Sequence, residues 1–77
     1  MLLDVSIFNP QEVVFNGQSM SVVVPGEAGV FEVLIHHKPI LSRLISGMIY
    51  VDEKKIPILR GIVKVYKNKV NIIVEEA

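Results

Sequence analysis

Apolar residues in this chain recur mostly at every second position, in short runs separated by turn residues. Leu3, Val5 and Ile7 alternate with Asp4 and Ser6, the period-two pattern of a strand with one buried and one wet face. Met20, Val22 and Val24 alternate in part with Ser19 and Ser21 before Pro25 closes the run. Further on, Val63 and Val65 flank Lys64, and Val70, Ile72 and Val74 partly alternate with Asn71 and Glu75. No stretch holds a 3.6-residue apolar stripe for three turns, so no helix is predicted. Valine and isoleucine supply 23 of the 77 residues and alanine only 2. That bias favours pleated, half-buried surfaces, because β-branched side chains lose rotamer freedom in a helix.

Turn signals fall at the short intervals an all-β fold requires. Asn9-Pro10 ends the first strand, and Asn16-Gly17 predicts a tight turn between Val13-Val14-Phe15 and Met20-Ser21-Val22. Pro25-Gly26, Gly29, Ser46-Gly47, Asp52-Glu53-Lys54-Lys55 and Lys67-Asn68-Lys69 supply the others. Pro57, inside Ile56-Pro57-Ile58-Leu59, has no N–H for a ladder and marks an edge strand or a strand end. The expectation is a single all-β domain over residues 1–77, a sandwich of two antiparallel sheets whose apolar rows bury each other.

Composition narrows the function classes. Half the residues are hydrophobic and a fifth charged, far from a disordered chain. Cysteine is absent, which removes disulfides, thiolate metal sites and redox dithiols, and makes an intracellular setting the simplest expectation. Eight basic residues balance eight acidic ones, so there is no electrostatic footprint for nucleic acid or anionic lipid. The longest unbroken apolar run, Met48-Ile49-Tyr50-Val51, is far below the ~20 residues that span a bilayer. Asp4 interrupts the N-terminal apolar stretch and no basic region precedes it, against a signal peptide.

Candidate chemistry is sparse. His36 and His37 are adjacent, and neighbours on a strand face opposite ways, so one ion would be shared only in a turn. A closed zinc site would need two more ligands, with Glu27 and Glu32 nearest in sequence. A turn histidine bonded to backbone or to a partner is the plainer reading. The serines lack a G-x-S-x-G context. Gly26 and Gly29 lack the strand-to-helix setting of a phosphate loop and instead supply backbone conformations. The aromatic residues have no basic groove beside them and read as core filling. A biotinyl or lipoyl carrier domain is the alternative, with Lys54 or Lys55 as the modified lysine at a hairpin tip. Two adjacent lysines without a matching flank weigh against it. No catalytic residue, metal or cofactor is expected.

The segment Pro25-Gly26-Glu27-Ala28-Gly29, Phe31, Val33-Leu34, His37-Lys38-Pro39-Ile40-Leu41-Ser42, with Leu44 and Gly47, resembles the N-terminal domain of the epsilon subunit of F-type ATP synthases. Leu3-Asp4-Val5 with Pro10, Val13-Val14-Phe15 and Gly17 resembles that family's opening hairpin. Gly61-Ile62-Val63-Lys64-Val65 with Asn68-Lys69-Val70 resembles its last one. Ile35-His36 departs from the family's Pro-Gly or Pro-Asn, Glu32 from a frequent glycine, and Arg60 from a usual second glycine. The resemblance implies a flattened sandwich of about ten short strands that binds the gamma subunit and rests on the membrane c-ring, a peripheral subunit at the cytoplasmic face of the inner (plasma) membrane. It also implies c-ring contacts at the turns Glu27-Ala28-Gly29-Val30 and His36-His37-Lys38-Pro39. The chain stops at Ala77, where relatives continue into two helices, so ATP binding and inhibition of hydrolysis are not expected of it. Val14, Val23 and Ile73 interrupt faces that should be wet, and are the candidates for a patch covered by gamma.

Overall fold

The computed structural model describes all 77 residues as eight strands without a helix. They are β1 Leu3–Phe8, β2 Val13–Ser19, β3 Val22–Gly26, β4 Gly29–Val33, β5 Ile40–Leu44, β6 Gly47–Val51, β7 Lys54–Tyr66 and β8 Lys69–Glu76. One layer of the sandwich runs β2-β1-β8-β7-β5, and the other is built from β4, β3, β6 and the first part of β7. All pairings are antiparallel except β1 with β8, which run parallel from Asp4↔Lys69 to Phe8↔Ile73. That one parallel ladder departs from the expected pair of purely antiparallel sheets. It places β8 in the middle of its layer.

Sixteen buried apolar residues form one core between the layers. Leu3, Val5 and Ile7 of β1 lie beside Val70, Ile72 and Val74 of β8 in one layer, all at most 2% exposed, and pack against the buried residues of the other layer. The alternation in sequence therefore translates directly into inward and outward rows.

Eight strands stand where the resemblance implied about ten, and two stretches differ from the local reading. Asn16-Gly17 makes no turn: Ser6↔Asn16 and Val5↔Gly17 are ladder pairs inside β2. Gly17 has no positive φ, and the Ser6 hydroxyl donates to the Asn16 side-chain oxygen. The β1 ladder overrides the local dipeptide preference and moves the reversal to Met20-Ser21. There, Asp52 accepts both the Met20 and Ser21 N–H groups.

The second lies in β7, which runs thirteen residues through both layers without ending at Pro57. Its buried positions change parity, from Ile56 and Ile58 to Val63 and Val65. A register shift between Ile58 and Arg60 against β8 inserts the one extra residue this needs. The bulge bends the strand from one sheet into the other and keeps both halves facing the core. Before the bulge β7 pairs with β6, and on the other side it meets only the end of β8, where Ile58 pairs with Glu76 and the Ala77 N–H reaches the Pro57 carbonyl. Pro57 thus sits in an edge-like stretch, where its missing donor interrupts no ladder.

Candidate partner-docking surface

The turn between β3 and β4 is built by its two glycines. Gly29 has φ +137°, a region that essentially only glycine occupies. At Gly26 a Cβ would lie 2.7 Å from the Gly29 carbonyl oxygen and 2.8 Å from the Phe31 ring. The missing side chain lets Phe31 fold over the turn, and leaves Glu27, Ala28, Gly29 and Val30 all exposed. The Glu27 N–H is anchored on the Arg43 carbonyl, 3.0 Å away.

The second turn follows β4 at its other end. The His37 N–H closes Leu34–His37 on the Leu34 carbonyl, and His36 takes φ +65°. This is the position where the resembling family places Gly or Asn, and the left-handed backbone gives the reason. The His36 N–H donates to the Asn68 side-chain oxygen at 2.6 Å, which ties this end to the β7–β8 hairpin. The backbone turns 27–30 and 36–39 therefore stand at opposite ends of β4 rather than side by side. Phe31 connects them: its ring caps Gly26 and lies 6.3 Å from the His37 ring, centroid to centroid. His37 Nδ1 lies 2.7 Å from the Lys38 carbonyl oxygen. His36, Lys38 and Pro39 lie at the far end, just before β5.

Val14, Val23 and Ile73 do not form one patch. Val14 is half-buried and packs against the core. Val23 lies on the outer face of the second layer, between Glu32 and Tyr50. Ile73 is half exposed on the outer face of the five-stranded layer, and it is the member with apolar company. Register aligns Val13, Phe8, Ile73 and Ile62 across β2, β1, β8 and β7, and Val13, Ile73 and Ile62 are 64%, 50% and 48% exposed. The row continues onto Arg43 of β5. At that end lies an open cleft of about 660 Å³, lined among others by Pro10, Glu27, Arg43, Arg60 and Glu75. Residue-by-residue reading of the sequence missed Phe8, Val13, Ile62 and Arg43. With Val63 and Val65 inward, strand parity alone puts Ile62 outward, but aligning it with Ile73 needs the register.

The lysines of the carrier alternative are not at a tip. Asp52-Glu53 makes that turn, with Asp52 at φ +52°, while Lys54 and Lys55 are paired in β7 with Val51 and Tyr50. The Lys54 ammonium lies 5.6 Å from the centroid of the Phe15 ring, an ordinary cation–π distance. No helix is long and apolar enough to cross a membrane.

Comparison with known proteins agrees with this geometry. Residues 2–77 match the family described as ATP synthase, Delta/Epsilon chain, beta-sandwich domain. The ATP synthase epsilon chain of Sulfurimonas denitrificans is 35% identical over 97% of this chain and 62% of its own length. The chloroplastic ATP synthase epsilon chain of Tetradesmus obliquus is 36% identical over 100% and 60%, and the ATP synthase epsilon chain of Rickettsia typhi 33% over 97% and 74%. The chain thus spans about three-fifths of the length of the first two relatives. In structure it is similar to a chain of the Tetrahymena thermophila mitochondrial ATP synthase central stalk/c-ring, with TM-score 0.77 and 17% identity over 96% of this chain and 63% of that one. A chain of the Euglena gracilis mitochondrial ATP synthase gives TM-score 0.83 and 20% identity over 97% and 51%. A match that runs from the second residue to the last, over the same strands, leads to one conclusion: the chain belongs to the delta/epsilon-chain β-sandwich family of ATP synthase.

Proposed function

We propose that this chain is a non-catalytic rotor component of the central stalk of an F-type ATP synthase, joining the gamma subunit to the membrane c-ring. The family match over residues 2–77 carries the reading. Its task is mechanical: to pass torque between ion flow and the catalytic head without shearing. Such an interface is best made partly apolar, with polar groups fixing register. The row Val13–Phe8–Ile73–Ile62 supplies the apolar part and is the proposed gamma face. The glycine-built turn Glu27–Val30 supplies a well-held contact for the c-ring, with Glu27 as its polar group and His37 coupled to it through Phe31. His36, Lys38 and Pro39 complete the c-ring contact from the far end of β4. Membrane association is peripheral, through the complex at the cytoplasmic face, and ATP binding is not assigned to these strands.

Pull-down of the tagged chain from native membranes tests the reading. Recovery of gamma together with the c-ring is expected, whereas recovery of a carboxylase or dehydrogenase complex would overturn it in favour of a carrier domain. Glu27→Lys combined with His37→Ala is expected to weaken c-ring assembly while the isolated fold melts normally. Equal loss of folding and assembly would count against a contact role.

A further inference from the structure

We propose that Arg43 is the charge that fixes how the partner docks on the five-stranded layer. The occupant is a protein segment bearing an apolar side chain beside a carboxylate. The apolar group covers Ile62 and Ile73, and the carboxylate meets the Arg43 guanidinium. The proposal rests on the reading of the chain as a stalk subunit and adds the chemistry of that contact.

The apolar row crosses four adjacent strands and ends on Arg43 through the pair Arg43↔Ile62. At ordinary strand spacing those four side chains span about 14 Å, the reach of one short segment. Two guanidiniums line the cleft at its end, and they differ. Arg60 is bonded to Glu75 in the only ion pair of the molecule. Arg43 has no carboxylate partner, and Glu27, on the same cleft, bonds it only from backbone N–H to carbonyl. A free inorganic anion is a poor occupant, because Glu27 and Glu75 oppose the two arginines there. A segment that also covers the apolar floor gains where a small anion does not. A weakly hydrated guanidinium beside that floor matches a planar carboxylate in two parallel hydrogen bonds. One charge at the rim of an apolar contact acts on orientation and partner choice.

Titration of this chain against the purified gamma subunit of its own ATP synthase tests the assignment, with a thermal melt to establish that each variant folds. Ile73→Asp is expected to weaken binding by about 30-fold or more, and Arg43→Ala by about tenfold with a flatter salt dependence. Arg43→Glu should cost more than Arg43→Ala, and Arg43→Lys should keep the salt dependence while losing the paired hydrogen bonds. If Ile73→Asp abolishes binding and the Arg43 variants bind like the parent, the face is right and the role of Arg43 is wrong. If every variant binds gamma like the parent, the docking face lies elsewhere and the proposal falls, while the stalk reading stands. Failure of the parent chain to bind gamma removes that reading and the proposal together. A concentration-dependent dimer in sedimentation, lost in Ile73→Asp, would give the face to a second copy and overturn the proposal.

Discussion

His36 holds a left-handed backbone conformation at φ +65°, and only its backbone N–H, donated to Asn68, is used by the rest of the fold. A side chain in that region costs roughly 1–2 kcal/mol relative to glycine's freedom, partly offset by the entropy glycine loses on folding. His36→Gly is therefore expected to raise stability by about 0.5–1 kcal/mol in urea denaturation. Gly26 responds the other way. The Cβ of Gly26→Ala would meet the Gly29 carbonyl and the Phe31 ring below 3.0 Å, and a loss of about 1–3 kcal/mol is expected from that overpacking. The same change should displace Phe31 from His37, visible as altered histidine ring shifts in NMR. The Arg60–Glu75 pair, with side chains 70% and 54% exposed, is screened by solvent. Glu75→Gln should shift the melting curve little, within about 1 kcal/mol.

Among the elements, β7 carries the construction. Its bulge lets one strand serve both layers, so the residue count between Ile58 and Val63 is fixed, and at Gly61 a Cβ would lie 2.6 Å from the Ile73 carbonyl oxygen. Deletion of Leu59 removes the extra residue and would turn either Ile56 and Ile58 or Val63 and Val65 out of the core. Loss of the cooperative unfolding transition is the expected result, while Leu59→Ala should leave that transition in place. The same reasoning explains what was legible beforehand. Inward rows such as Leu3, Val5, Ile7 and Val70, Ile72, Val74 follow from period two, because burial acts on every second side chain. Asn16-Gly17 misleads because a local dipeptide preference of a few tenths to one kcal/mol yields to the ladder with β1. The all-β class and the turn at residues 26–29 are local in origin and visible in sequence. The apolar row on the outer face is made by register among four strands far apart in the chain, and no local pattern encodes register. Arg43 likewise becomes a candidate only when β5 is laid beside β7.

At the scale of the whole molecule the margin is thin. A domain of this length buries about 60% of its unfolded surface, and stabilities near 0.05–0.15 kcal/mol per residue are usual. Ile72, fully buried at the centre of β8, would lose about 2–5 kcal/mol on Ile72→Ala. That variant should melt much earlier in isolation, and, on the docking proposed above, added gamma subunit should raise its midpoint by mass action. Beyond stability, the central place of β8 bears on how the chain comes off the ribosome. β8 stands between β1 and β7, yet it is the last of the eight strands in chain order. A nascent chain exposed as far as Asn68 has β1 and the second half of β7 each with an unmet neighbour, and the apolar row of Val70, Ile72 and Val74 is still missing. Folding before that point would close no core, since the pairing that joins the two ends spans nearly the whole sequence. An arrest-peptide force profile should show a single late pulling event, after Glu76 has cleared the tunnel, with no early event for the β1–β2 hairpin. The last of the eight strands to emerge is thus the keystone that commits the domain to its fold.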